Sequence, residues 1–181
     1  MTATTHAGDG AHAAATRHTG SRHAGMNPYA RLAAMVALSF VAMFVLMYAM
    51  VDRYANAVPN LNQVWMAGLM AAPMLVIELA LMAAMYPNKK LNVALAVLGI
   101  VLAAGFWFAI REQTGIGDRQ FLKSMIPHHA GAVLMCERAS LATRDAQRLC
   151  ESIVESQQAE IELMRALLAR EDAMANAKPR P

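Results

Sequence analysis

Residues Phe121 to Arg138 read FLKSMIPHHAGAVLMCER, which sets Met125, His128, His129, Met135 and Cys136 within a few helical turns. Thioether and thiolate are soft donors and imidazole is intermediate. That mixture suits Cu(I) or Ag(I) far better than magnesium or calcium. Zn(II) is the poorer fit, because His and Cys serve it but a thioether gives it little reason to choose this surface. Residues seven apart on one helix stand about 10 Å apart along its axis. One straight helix therefore cannot wrap the whole set around one ion, and either several small sites exist or a facing helix completes each. Met164 is the natural contributor from such a helix. Gln157 and Glu160 flank it on the same run, where Glu160 can orient an imidazole or balance charge. The bland alternative is that the methionines fill gaps in a core and the histidines bond nearby polar groups.

Two amphipathic helices must position these residues, one over about 118–141 and one over about 144–173. Phe121, Leu122, Met125, His129, Ala132, Met135 and Cys136 define the first stripe; Leu149, Ile153, Gln157, Ile161, Met164 and Leu168 define the second. Asp118 is suited to cap the first helix or to sit in its first turn, and Thr143 to cap the second. Pro127 removes one helical hydrogen bond and either aims the histidines or marks a bend. Cys136 and Cys150 stand at comparable distances from the turn, so they can form a disulfide, bind a metal, or pack as small apolar groups.

Ahead of this hairpin the composition changes. The chain has 181 residues, 57% of them apolar and 16% charged, and three long apolar runs account for the excess: Ala30–Met50, about Leu61–Tyr86, and Leu91–Ile110. Each approaches or exceeds the roughly 20 residues that cross a bilayer core. The first is too long for a secretion signal and ends without a small-residue cleavage site. Met66, Met70, Met74, Glu78 and Met82 repeat every four residues through the second run. A carboxylate inside a membrane is costly unless it meets a partner or a polar cavity. The stripe reads either as a thioether relay for metal ions or as a packing seam with Glu78 bonded across helices.

The formal charge of +3 sits mainly in the N-terminal tail and Lys89-Lys90, because residues 111–181 carry ten basic and ten acidic side chains. Charge therefore offers no case for nucleic-acid binding. With three spans, the tail and Lys89-Lys90 lie opposite Arg53, Arg111, Arg119 and Lys123, a small excess that favours a cytoplasmic N-terminus. The tail itself, residues 1–28, lacks apolar periodicity and reads as disordered. His6, His12, His18 and His23 recur along it, as weak metal-capturing residues or simply as linker composition.

The expected organisation is all-α: a tail over 1–28, a three-helix transmembrane domain over 29–111, a helical hairpin over 118–173, and a flexible end over 174–181. One hairpin encloses little core, so pairing with a second copy in a homodimer is the economical way to a four-helix bundle.

Met125-Ile126-Pro127-His128-His129, then Met135, then Gln157-Gln158-Ala159-Glu160-Ile161-Glu162-Leu163-Met164, resemble the DUF305 family over about residues 118–170. Relatives of that family include periplasmic copper- and silver-binding proteins with a ferritin-like helical bundle. The resemblance implies metal-binding roles for Met125, His128, His129, Met135 and Met164, and a polar seam shaped by Gln157 and Glu160. Relatives commonly hold this domain outside the cytoplasm, which implies a bacterial inner-membrane protein with a periplasmic or external C-terminal domain. Several relatives look like duplicated hairpins where this chain has one, so a second protomer supplies the missing copy or part of the site has been lost. Cys136 falls where many relatives have a small apolar residue, and its ligand role gains nothing from the resemblance.

These readings converge on a membrane-anchored Cu(I)/Ag(I)-binding protein for buffering, storage or handover to a metal-transfer partner. The alternative is a non-catalytic assembly module that binds a partner through its helices. No nucleophile, base and orienting group stand together in the sequence, so catalysis is not expected. A redox role for the metal or the cysteine pair is a third reading.

Overall fold

The computed structural model describes residues 27–177, and all of its regular structure is helical. The histidines of the tail and the last four residues lie outside the described residues. Five α-helices follow one another: α1 Pro28–Leu46, α2 Leu61–Leu81, α3 Lys89–Arg111, α4 Asp118–Arg138 and α5 Arg144–Ala177. A 3-10 turn, Met47–Met50, prolongs α1, and α5 runs through 174–177, which the sequence had assigned to a flexible end.

Each of the first three helices starts at an asparagine. The side chains of Asn27, Asn60 and Asn88 accept from the backbone N–H of Tyr29, Gln63 and Leu91, and Pro28 occupies the first turn of α1. These caps satisfy donors that a helix leaves orphaned at its start. All three helices are long and apolar enough to cross a membrane. Their faces fit lipid: only 6% of the apolar windows of α1 and α3 is buried within the protein, against 33% for α2. Helices so apolar and so exposed would be a liability in water.

The helix α2 is central and packs on both neighbours through Ala67, Gly68, Ala71 and Ala72, continuing to Leu75 and Leu79. Small residues let backbones approach where lipid gives no hydrophobic reward for contact. At Gly99 of α3 an added Cβ would stand 2.8 Å from Val76 Cγ2 and 3.3 Å from the Ala72 carbonyl oxygen. Gly99→Leu is therefore expected to force α2 and α3 apart at a cost of about 1–3 kcal/mol, read as a lower unfolding midpoint of the detergent-solubilised chain. An unchanged midpoint would show that the packing yields.

The second apolar run ends earlier than its composition implies. The helix α2 stops at Leu81, and Ala83–Met85 form a separate 3-10 turn. Glu78 therefore lies near an end of its helix, where Tyr86 Oη donates to Glu78 Oε1 at 3.4 Å. Tyr29, Asn88 and Asn92 extend this polar cluster: Tyr29 Oη donates to Asn92 Oδ1 at 2.9 Å, and Asn92 Nδ2 donates to the Tyr86 carbonyl at 2.9 Å.

The other end of the membrane unit carries the hairpin. Between α3 and α4 the chain reverses through Gln113 and Gly115, both at positive φ; Gly115 also approaches Leu61, and there a Cβ would meet Leu61 Cδ2 at 3.0 Å. Gly117 occupies the cap position of α4, so Asp118 takes the favourable first-turn place. Thr143 does cap α5, its Oγ1 accepting from Ala146 N at 3.3 Å. The hairpin is fastened to the membrane unit by polar contacts. Leu61 N donates to Gln120 Oε1 at 2.9 Å, and Arg165 Nη2 donates to the Ala55 carbonyl at 2.8 Å and to Asn56 Oδ1 at 2.6 Å.

The buried line of α4 is Leu122, Ile126, His129, Ala130 and Val133, rotated by roughly one residue, about 100°, from the expected stripe. Phe121 and Met135, expected in that stripe, are exposed, as is Leu149 in α5. The rotation has a physical reason: α4 packs against α5 on one side and against the membrane unit on the other, so apolar residues are needed around much of it.

Candidate metal centre

Facing α4 and α5 bring Ile126, Ala130, Leu122, Ile161 and Met164 into one cluster, with Met125 and Leu168 packed against it. His129, one turn beyond Met125, is 9% exposed and Met164 is 7% exposed. Met125, His129 and Met164 are thus the sequence-derived residues that the hairpin seam gathers, two from α4 and one from α5. Gln157 is partly buried on α5, and Glu160 reaches the seam from its exposed rim.

His129 Nδ1 lies 3.0 Å from Glu160 Oε2. The distance is that of a hydrogen bond, but the carboxylate lies off the line of the ring N–H, and this buried nitrogen has no hydrogen-bond partner. Alignment decides the matter: the contact is electrostatic proximity, not a formed hydrogen bond. Burial pushes the imidazole below its ordinary value of 6.5; the Glu160 carboxylate opposes that shift and the neighbouring His128 adds to it. His129 is consequently neutral near pH 7, the form in which imidazole binds a metal.

The lowered value has a stability consequence of definite sign. The unfolded chain takes up the His129 proton at a higher pH than the folded chain does. Stability in the metal-free protein is therefore full above the ordinary value, falls as pH drops below about 6.5, and levels off below the depressed folded value. Urea midpoints measured between about pH 7.5 and about pH 5 should show this fall, and His129→Gln should flatten it. A fall of equal size in the variant would assign it to other groups.

His128 and Met135, seven residues apart on α4, turn away from this seam. Both are exposed and line a different cavity, between α4 and the ends of α1 and α2. Cys136 and Cys150 form a disulfide across the hairpin near its turn, with Cα atoms 5.2 Å apart. Of the alternatives open to this pair the structure takes the disulfide, which removes both thiolates as metal ligands. Among the described residues no three His, Cys, Asp or Glu side chains gather as a cation site, so a metal at the seam must draw on thioether sulfur. Along α2, Met66, Met70 and Met82 lie exposed, off the face that packs on α1 and α3, and Met74 is partly buried.

Sequence reasoning missed Arg165 as part of this end of the molecule. Arg165 sits in an ordinary charged stretch, and its partners are more than a hundred residues away. Met43, Met47 and Met50 offer in the first apolar run a stripe related to that of the second, but nothing local shows that Met47 and Met50 meet α4.

The sequence profile of DUF305, described as a domain of unknown function, matches residues 109–168. An uncharacterized protein of Acanthamoeba polyphaga mimivirus is 32% identical over 141 residues, covering 74% of this chain and 91% of that relative. The chain belongs to the DUF305 family. The viral match is longer than everything from residue 109 onward, so the likeness takes in part of the apolar helical region as well as the DUF305 hairpin. No solved structure matches the chain.

Proposed function

We propose that this DUF305 protein is a membrane-anchored Cu(I)- or Ag(I)-binding protein that buffers, stores or hands over its metal outside the cytoplasm. The metal is cargo, held at the α4–α5 seam by Met125, His129 and Met164. The observation that carries the reading is the buried His129, whose Nδ1 has no hydrogen bond, on the same seam as two thioethers. A soft monovalent ion suits this donor set, and among the described residues no group of three His, Cys, Asp or Glu side chains competes for it. Glu160 suits the part of a carboxylate that orients a ligating imidazole, needing only alignment with the ring N–H.

The Cys136–Cys150 disulfide supports an oxidising compartment for the hairpin, and hence the periplasmic or external side of a bacterial inner membrane. Three spans then leave the N-terminus and Lys89-Lys90 in the cytoplasm, as the basic residues favour. Phe121, Leu163, Leu167 and Met174 are exposed on the hairpin. A second copy covering them would complete a four-helix, ferritin-like bundle. The same exposed side chains favour the second reading, a non-catalytic module that docks a metal-transfer or assembly partner.

Competition between metals tests the primary reading. The full chain in detergent, with its disulfide intact, should take up Ag(I) or Cu(I) in preference to Zn(II), and either ion should displace bound zinc. Zinc that resists displacement would overturn the assignment, and partner capture unaffected by metal would favour the docking module.

A further inference from the structure

The helix α4 has a second working face, opposite the seam. There it meets the membrane unit across a cavity of about 320 Å³ lined by Met47, Met50, Met66, Met135 and His128. These donors come from three elements remote in sequence: the 3-10 turn that ends α1, the second turn of α2, and α4. The approach is close, since a Cβ at Gly131 would stand 3.5 Å from the Met50 carbonyl oxygen. Met50, Met66 and Met135 are 55%, 43% and 55% exposed, too open to be explained as fillers of a core gap. Asn62 also lines the cavity, and its side-chain oxygen is buried with no hydrogen-bond partner.

We propose that this junction cavity is a second soft-metal site, taking Cu(I) or Ag(I) on thioether sulfur with His128 as the nitrogen donor. Four thioethers and an imidazole form a polarisable donor set, which suits a monovalent soft cation. Its oxygen donors are the neutral side chains of Asn60, Asn62, Gln63 and Ser124, and no carboxylate lines it, so it lacks the anionic ligands on which magnesium and calcium sites are built. Its place between the membrane helices and the hairpin makes it an entry or exit point for metal moving to or from the seam. The junction shares the seam's choice of metal but none of its side chains, so either site can fail alone.

Silver stoichiometry of the full chain in lipid nanodiscs separates the two. Wild type should bind two Ag(I) per chain. Met47→Leu/Met50→Leu/Met66→Leu, which keeps apolar bulk and removes sulfur, should lose one, while Met125→Leu/His129→Gln/Met164→Leu should lose the other. A junction variant that binds as much silver as wild type overturns the proposal. A seam variant with full stoichiometry beside a depleted junction variant overturns the seam reading and leaves the junction standing. The wild-type chain supplies a second measurement that needs no variant to fold. Bound Ag(I) should slow peroxide oxidation of Met50, Met66 and Met135 to their sulfoxides, with exposed Met174 oxidising at its metal-free rate. Equal rates at all four with and without silver would also overturn it.

Discussion

Met125→Leu/His129→Gln/Met164→Leu is expected to weaken binding of the seam's Ag(I) by more than about 100-fold, because changing residues that merely support ligands already costs 10–100-fold. The variant is designed to fold. Leucine replaces methionine at nearly constant volume, a change that cores tolerate well. Glutamine keeps a polar group beside Glu160 while removing the imidazole. Glu160→Gln alone is expected to weaken binding by about tenfold, if its carboxylate orients His129 as the 3.0 Å approach allows. Silver titration with a competing ligand of known affinity reads both effects. A triple variant that retained wild-type affinity at every site would remove Met125, His129 and Met164 from the account.

The second large effect concerns the hairpin itself. Cys136→Ser/Cys150→Ser is expected to destabilise it by about 3 kcal/mol, the cost of releasing a loop of this size in the unfolded chain, given a separation of 14 residues between the cysteines. Because the bridge sits beside the turn, the loss should appear first as faster amide exchange around residues 139–150. A reductant added to the wild-type chain should reproduce it. The serine variant should bind as much Ag(I) as wild type, since neither sulfur is available as a ligand while the bridge is intact. Unaltered stability in both the variant and the reduced chain would mean that the pair contributes nothing.

The membrane-length helices were legible because their apolar runs are long, a signal that is strong and local, whereas the asparagine caps that start them emerged only in the structure. The pairing of Cys136 with Cys150 was open to reading for a similar reason: equal spacing from a turn brings residues opposite each other on a hairpin. The end of α2 was not legible. Ala83, Ala84 and Met85 continue the apolar run after the helix has stopped, so Glu78 read as deeper in the span than it lies.

The rotation of α4 was hidden for a different reason. Periodicity assigns one apolar face to a helix, whereas α4 has two neighbours, and nothing local tells Leu122 and Ile126, packed on α5, from Met135, facing the membrane unit. Adjacent His128 and His129 accordingly read as one pair, although about 100° of helical rotation buries His129 at the seam and leaves His128 lining the junction cavity. The junction depended on Met47, Met50 and Met66 meeting α4 from far along the chain, a contact that only the tertiary fold creates.

X-ray absorption at the copper edge of the Cu(I)-loaded full chain, with the disulfide intact, tests the central claim most directly. The account predicts a first shell of both sulfur and imidazole nitrogen, with the sulfur retained in Cys136→Ser/Cys150→Ser because it comes from thioethers. A shell of nitrogen and oxygen alone would contradict it, as would sulfur that disappears when the cysteines are removed.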